Sequence, residues 1–420
     1  MKWLERIIGP LPGEREARAF GVCGIAIALI ACGLSLYFGF KGEAFLGRPL
    51  GGDFVQFYAA GRVLNQHQPA LLFDPPYFSA LQHQILPSMS PTQWLIFGNP
   101  PCIAALFRPL ALLTYQQAYC VWLIFSASLY VTGLLILLRG RWGPTAMLLA
   151  LSTPMFTLET WIGGQVSVFG FFIFAVSVRF FEAQRYFLAG LVLGLAVYKP
   201  SLLAIPAGMF LVGRYWRMLA GVSISASIVI ASCFAAVGID GMRLWLNTIK
   251  VFGYMIAEEK SILRRAKYVD LNSVLVVLGG QNNVTKTIAF LVVAAAIVVL
   301  AWSWFRPVRE PRILLAATMA ATLILNIYVP VYDTTILIPA LVLVASAIKS
   351  EKNQKELQAW ILLFCLVPWL TSAASDFIHI QILTILIAAF SYWAWRLADN
   401  NVDTARLVAR ATLHVQVADV

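Results

Sequence analysis

Apolar runs long enough to cross a bilayer recur along this chain, and a soluble fold has no room for them. The first, from about residue 19 to 40, follows Lys2, Arg6, Arg15 and Arg18. It exceeds a signal-peptide core and can span about 30 Å of hydrocarbon, so it reads as an uncleaved first crossing. Further runs lie near 117–138, 144–158, 164–181, 186–198, 200–213, 217–238, 284–305, 312–329, 332–348, 357–373 and 377–396. Together they predict an all-α polytopic membrane protein of about 12 transmembrane helices. Composition agrees: 60% of residues are hydrophobic and 12% charged, where soluble chains average about a quarter charged.

The formal charge of +11 would suit a nucleic-acid partner if it lay along one soluble face. Instead the cations fall in short clusters between apolar runs: Arg139/Arg141, Arg179/Arg185, Arg214/Arg217, Arg306/Arg309/Arg312 and Lys349/Lys352/Lys355. With the predicted crossings every cluster falls on the cytoplasmic side, as the positive-inside rule requires. Both termini are then cytoplasmic, and no nucleic acid is expected as a partner. The chain reads as one membrane domain, 1–420, with external loops at 41–100 and 239–283 and a charged cytoplasmic tail at 397–420.

Two segments strain this count. Residues 101–113 are apolar but would span only about 20 Å as a helix, and a full crossing there would invert Arg139 and Arg141; a re-entrant or half-depth helix is expected. The run 186–213 is interrupted by Lys199-Pro200, which predicts two short limbs meeting near the outer face, or else one kinked span that breaks the parity.

Six scattered cysteines, with no CxxC pair, read as small core residues rather than disulfide or metal ligands. The histidines His67, His83, His379 and His414 lack metal-ligand spacing. The chain contains no HExxH, P-loop or GxGxxG motif, so zinc-protease, P-loop nucleotide and dinucleotide chemistry have no support.

Once orientation is set, the unusual polar residues gather at one surface: Asp53, Asp74, Gln165, Lys199, the 239–283 loop and Asp333 all fall outside. Ionisable groups at membrane depth are costly and mark polar cavities. If residues 53–64 form an interfacial helix, Asp53, Phe57 and Ala60 share a face, and Phe54, Tyr58 and Gly61 the next. Asp53 would stand above an aromatic shelf, suited to a base contacting a hydroxyl; the plainer reading is a helix N-cap. Lys199 either contacts a phosphate as a point charge or snorkels to the interface. Asp333 begins an apolar run and reads as a substrate contact or a first-turn acid. Gln165, after Gly163-Gly164, lines the cavity or caps its span. Arg264, Arg265 and Lys267 break the positive-inside trend and call for an anion, a lipid headgroup or a phosphorylated substrate.

In chain order, AspPheValGlnPheTyrAlaAlaGly (53–61), PheAspPro (73–75) and AsnProProCysIleAlaAlaLeuPheArgProLeuAlaLeuLeu (99–113) are followed by GlyGlyGlnVal (163–166). After them come AlaGlyLeuValLeuGlyLeuAlaValTyrLysPro (189–200) and TyrAsp (332–333). In these segments the chain resembles the bacterial glycosyltransferases of family 87, membrane enzymes of the GT-C class. The resemblance implies a GT-C-like fold in the bacterial cell (inner) membrane and a polyprenyl-phosphate-linked sugar donor, often mannose. It also implies transfer to a lipid or glycan acceptor on the non-cytoplasmic face, with an essential acid in the first external loop, here Asp53. Family members also carry His at the position of Asp333, and the usual Tyr before the paired prolines is absent from PheGlyAsnProPro (97–101). On this reading Asp53 is the base. Lys199, Arg264, Arg265, Lys267, Gln165, Asp333 and Tyr58 bind donor phosphate or substrate, and no cofactor or metal is called for. The rival reading is a transporter or lipid flippase, built around the break at Lys199-Pro200. Against it stand the absence of an inverted repeat and the concentration of polar residues on one face.

Overall fold

The computed structural model describes residues 14–90, 93–139, 154, 156–257, 267–306, 310–326, 328–378 and 381–398. Beyond two isolated bridges, their regular structure is helical throughout. The run expected at 144–158 and the tail at 397–420 fall largely outside the described residues, and Arg264 and Arg265 fall wholly outside.

Helix α1 (Glu14–Phe40) carries the first apolar run. The loop after it folds into α2 (Phe54–Asn65), a 3-10 turn (Pro69–Phe73) and α3 (Pro75–Ile85), which Asp74 caps by accepting from the Tyr77 N–H at 3.1 Å. Residues 101–113 form α4 (Pro101–Leu106) and a 3-10 turn (Leu110–Leu112), too short to cross hydrocarbon, as their length predicted. Both pack on α2. Helix α5 (Tyr115–Leu138) starts at a reciprocal cap, with Thr114 Oγ1 accepting from the Gln117 N–H and Gln117 Oε1 from the Thr114 N–H.

Next come α6 (Ser167–Glu182), α7 (Tyr186–Leu193) with its 3-10 continuation Gly194–Tyr198, and α8 (Pro200–Val212). Proline at the first position of α8 forces Lys199 out of helical geometry, to φ −138° and ψ 83°. Residues 186–213 are therefore two limbs of about 20 Å each, meeting at Lys199. Helix α9 (Trp216–Ala257) breaks at Gly238, whose φ of 70° and ψ of −177° suit glycine. Within the segment 239–283, expected as an external loop, the chain is helical to 257 and again in α10 (Leu271–Gly279), because its apolar residues continue at helical spacing past the glycine. Helices α11 (Asn283–Phe305), α12 (Pro311–Ile324), α13 (Leu337–Ala347, entered through the 3-10 turn Val331–Ile336), α14 (Glu351–Ile378) and α15 (Ile382–Ala398) complete the described chain.

The stretches Arg18–Phe40, Tyr115–Leu138, Trp216–Met255 and Asn283–Phe305 are long and apolar enough to cross a membrane. They also turn large apolar side chains outward: Leu29 is 68% exposed, Ile124 70% and Phe290 71%. Apolar surface of this extent requires lipid around it, and the protein is a membrane protein. Helices α12 and α13 are buried along most of their length, pack on each other and form the centre of the bundle.

Candidate active site

Two glycine pairs set the position of Asp53. The Asp53 N–H donates to the Gly163 carbonyl at 2.8 Å, and the Phe54 N–H to the Gly51 carbonyl at 2.8 Å. A Cβ on Gly164, at φ 67°, would lie 2.0 Å from the Gly51 oxygen, so the two loops approach more closely than any side chain permits. Below them α2 rests on a buried aromatic bed. The Phe54 ring is 5.4 Å from that of Tyr119 and 5.9 Å from that of Phe107, while Phe57 stacks on Phe107 at 5.1 Å.

This bed corrects the expected shelf. Phe54 and Phe57 have no exposed surface, so they hold α2 in place and offer nothing to a ligand. Tyr58 is not brought to the site either: it is 5% exposed, and its hydroxyl donates to the Leu113 carbonyl at 2.7 Å. Nor is Asp53 a cap. It occupies the N-cap position of α2 in helical geometry with no side-chain bond to the helix. Its Oδ2 instead accepts from Gln165 Nε2. Gln165 in turn caps nothing: α6 starts after Val166, and the Gln165 side chain spans the gap to Asp53.

Sequence reasoning missed two neighbours of Asp53. Glu159 lies on a π-helical turn, Phe156–Trp161, a local widening common at functional sites. The turn is fastened to α5 by the Tyr119 hydroxyl, which donates to the Trp161 carbonyl. Arg48 forks onto Glu159, with Nη2 2.7 Å from Oε1 and Nη1 3.3 Å from Oε2, and also donates to the Leu158 carbonyl at 3.0 Å. Burial, followed by the charge of Glu159, pushes the Asp53 carboxyl up to about 6. Arg48, the Gln165 hydrogen bond and Lys267 oppose that rise. The only outward signal in the sequence was one acid at the edge of an apolar run and one arginine among glycines.

Lys199 and Asp333 meet directly, with Lys199 Nζ 2.7 Å from Oδ1 and 2.6 Å from Oδ2. The Asp333 side chain is 1% exposed and that of Lys199 19%. The ammonium also lies 4.6 Å from the Tyr332 ring centroid. Lys199 is thus neither a snorkelling end nor a bare point charge. It is half of a largely buried ion pair with one partly open side.

Lys267 reaches the same end through a short pairing of strand-like backbone. The Val269 N–H donates to the Val329 carbonyl at 2.8 Å, and the Val331 N–H to the Lys267 carbonyl at 3.2 Å. Asp270 locks this pairing by accepting from the Ser273 and Val329 N–H groups at 2.8 and 3.2 Å and from Ser273 Oγ at 3.0 Å. Burial pushes its carboxyl up to about 6 as well. Asp53, Gln165, Lys199, Lys267 and Asp333 therefore gather at one end of the bundle. Among the described residues no three His, Cys, Asp or Glu side chains come together to hold a metal ion.

A half-buried carboxylate poised near neutrality, with cations near it, can accept a proton while a neighbouring anion departs. No curated protein and no solved structure matches the chain. A family model matches it over residues 97–328, which takes in Glu159, Gln165, Lys199 and Lys267 and leaves Asp53 and Asp333 on either side. That model, which covers more than half of the sequence, is glycosyltransferase family 87, and the chain belongs to that family.

Proposed function

We propose that this glycosyltransferase moves a hexose, mannose by the family resemblance, from a polyprenyl-phosphate donor to a lipid or glycan acceptor on the non-cytoplasmic face of the bacterial cell membrane. On this reading the chain crosses about 12 times with both termini cytoplasmic, and the Asp53 end faces outward by the positive-inside rule. The observation that carries the reading is the state of Asp53. Its carboxylate caps no helix, its pKa is raised to about 6, and among the described residues its hydrogen-bond partner is Gln165.

An acceptor hydroxyl is a weak nucleophile at neutral pH. On this reading Asp53 takes its proton as the oxygen bonds to the sugar C1 and the bond from C1 to the phosphate oxygen breaks. The polyprenyl phosphate leaves with the electron pair. Its charge is met by Lys267, by the open side of Lys199, and by Arg264 and Arg265 of the adjoining segment. Such a single displacement inverts the anomeric centre. Gln165 holds down the pKa of the base, and Asp333 fixes Lys199.

The test supplies membranes containing wild type or Asp53→Asn with radiolabelled polyprenyl-phosphate mannose and follows label into lipid and glycan fractions. Wild-type transfer abolished by the substitution at equal protein level supports the reading. Equal transfer by both removes Asp53 as base. Label that crosses the bilayer without being transferred favours a flippase.

A further inference from the structure

At the opposite end of the bundle, the start of α7, the α8–α9 turn, the end of α11 and the start of α12 line a cleft of about 550 Å³. Its walls include Arg214, Arg217, Arg306, Tyr215, Trp216 and Trp304. Helix α8, 13 residues long, separates it from Lys199 by about 20 Å. It is therefore distinct from the Asp53 site.

Among the described residues the charge of this cleft is unbalanced. Of the nearby acids, Glu182 pairs with Arg179 at 2.5 Å and Glu310 with Arg312 at 2.7 Å. Among the described residues Arg214, Arg217 and Arg306 form no ion pair. Arg214 is held at φ 58°, a left-handed backbone that side chains other than glycine rarely adopt. Its guanidinium lies 5.8 Å from the Phe305 ring centroid, and that of Arg306 lies 5.0 Å from the Trp302 ring.

The surroundings of the cleft decide what kind of anion it takes. Trp216 is 61% exposed, Trp302 55% and Phe305 56%, so the cleft is flanked by outward aromatic surface of the kind that sits at the level of lipid headgroups. Guanidinium groups fork onto phosphate oxygens, and basic pockets between membrane helices recognise lipid phosphates. We propose that this cleft binds the headgroup phosphate of an anionic phospholipid, with the acyl chains lying along Trp216, Trp302 and Phe305. Bound there, the lipid ties together the α8–α9 turn and the end of α11.

The test uses the full chain in detergent, titrated with short-chain phosphatidylglycerol and followed by native mass spectrometry. Phosphatidylcholine of the same chain length and inorganic phosphate serve as the comparison probes. Wild type is expected to retain phosphatidylglycerol in preference to phosphatidylcholine. Arg214→Gln/Arg217→Gln should weaken that binding about thirtyfold, from about 1 kcal/mol per cation. Lys349→Gln/Lys352→Gln, which removes equal charge elsewhere, should change it less than about twofold. Equal retention of both lipids, or equal loss in both variants, overturns the proposal. Displacement of the lipid by inorganic phosphate at equal concentration also overturns it, in favour of a site for free anions. Should the cleft variant fail to yield monodisperse protein, a photoreactive phosphatidylglycerol on wild type decides: label on peptides spanning 214–217 or 304–306 upholds the site, and label confined elsewhere overturns it.

Discussion

Replacing Gln165 with methionine keeps the volume of the side chain and removes the hydrogen bond that its amide donates to the Asp53 carboxylate. That bond favours the ionised carboxylate and holds its pKa down against burial and Glu159, leaving it at about 6. A hydrogen bond to a charged group contributes about 1.5–3 kcal/mol, and a protonated carboxyl retains part of it. The difference between the two protonation states is then about 1.4 kcal/mol, or about one pKa unit. The sign follows from the role. A general base works ionised, so activity is present above the folded pKa and is lost as pH falls through it.

With the variant titrating near 7, its ionised fraction falls about eightfold below wild type at pH 5.5 and is nearly equal at pH 8.5. The assay is kcat/KM for transfer from the polyprenyl-phosphate donor across pH 5 to 9, in membranes with matched protein levels. Wild type should show an acid limb near 6, Gln165→Met the same plateau with the limb moved up, and Asp53→Asn a loss of about 10²–10⁴ with that limb absent. A Gln165→Met deficit that is constant across pH would refute the argument, because it would mean a lost contact or a distorted fold rather than a shifted base. A wild-type profile flat through 6 would refute it more directly.

Arg48→Ala should raise the same acid limb by about one pH unit, since Glu159 then acts on Asp53 uncompensated, and Arg48→Ala/Glu159→Ala should bring it back. Lys199→Met leaves Asp333 buried without its counter-charge and should cost about 3–5 kcal/mol of stability; Lys199→Met/Asp333→Leu should recover most of that in thermal unfolding while transfer stays lost. If the double variant regains activity, Lys199 serves the fold alone. Gly164→Ala should destabilise by more than about 2 kcal/mol, through its left-handed backbone and the clash with Gly51, and should abolish transfer even where protein accumulates. Gln82, fully buried, binds the Leu95 carbonyl at 2.7 Å and its N–H at 2.9 Å. Gln82→Ala should therefore cost about 1–3 kcal/mol in unfolding without moving the pH profile.

The long helices were legible because hydrophobic length is a local property, and so were the shortness of the helix within 101–113 and the break at Lys199-Pro200. The helix within 239–257 was not, since it resumes beyond Gly238 and a sequence reading takes the break for an end. Among site residues, Asp53, Gln165, Lys199 and Asp333 were singled out by being polar next to apolar runs. The Arg48–Glu159 pair was invisible because its members are 111 residues apart, and nothing in either neighbourhood names the other. Tyr58 misled for a related reason: helical periodicity placed it beside Asp53, but not which side of α2 would meet α4 and α5.

The residues that converge here share a position in their elements, and that shared position explains why they converge. Asp53 precedes α2, Gln165 precedes α6, Lys199 separates the limbs of a broken hairpin, Lys267 leads into α10, and Asp333 sits in the 3-10 turn before α13. Non-helical backbone exposes N–H and C=O groups that lipid cannot satisfy, so at membrane depth it persists only where protein or a water-filled cavity covers it. Several such interruptions meet at one end of the bundle, and the polar side chains they carry are brought into a common space. The glycine pairs and Lys199-Pro200 create those interruptions, which is how residues scattered over 280 positions of sequence, from Asp53 to Asp333, come to form one site.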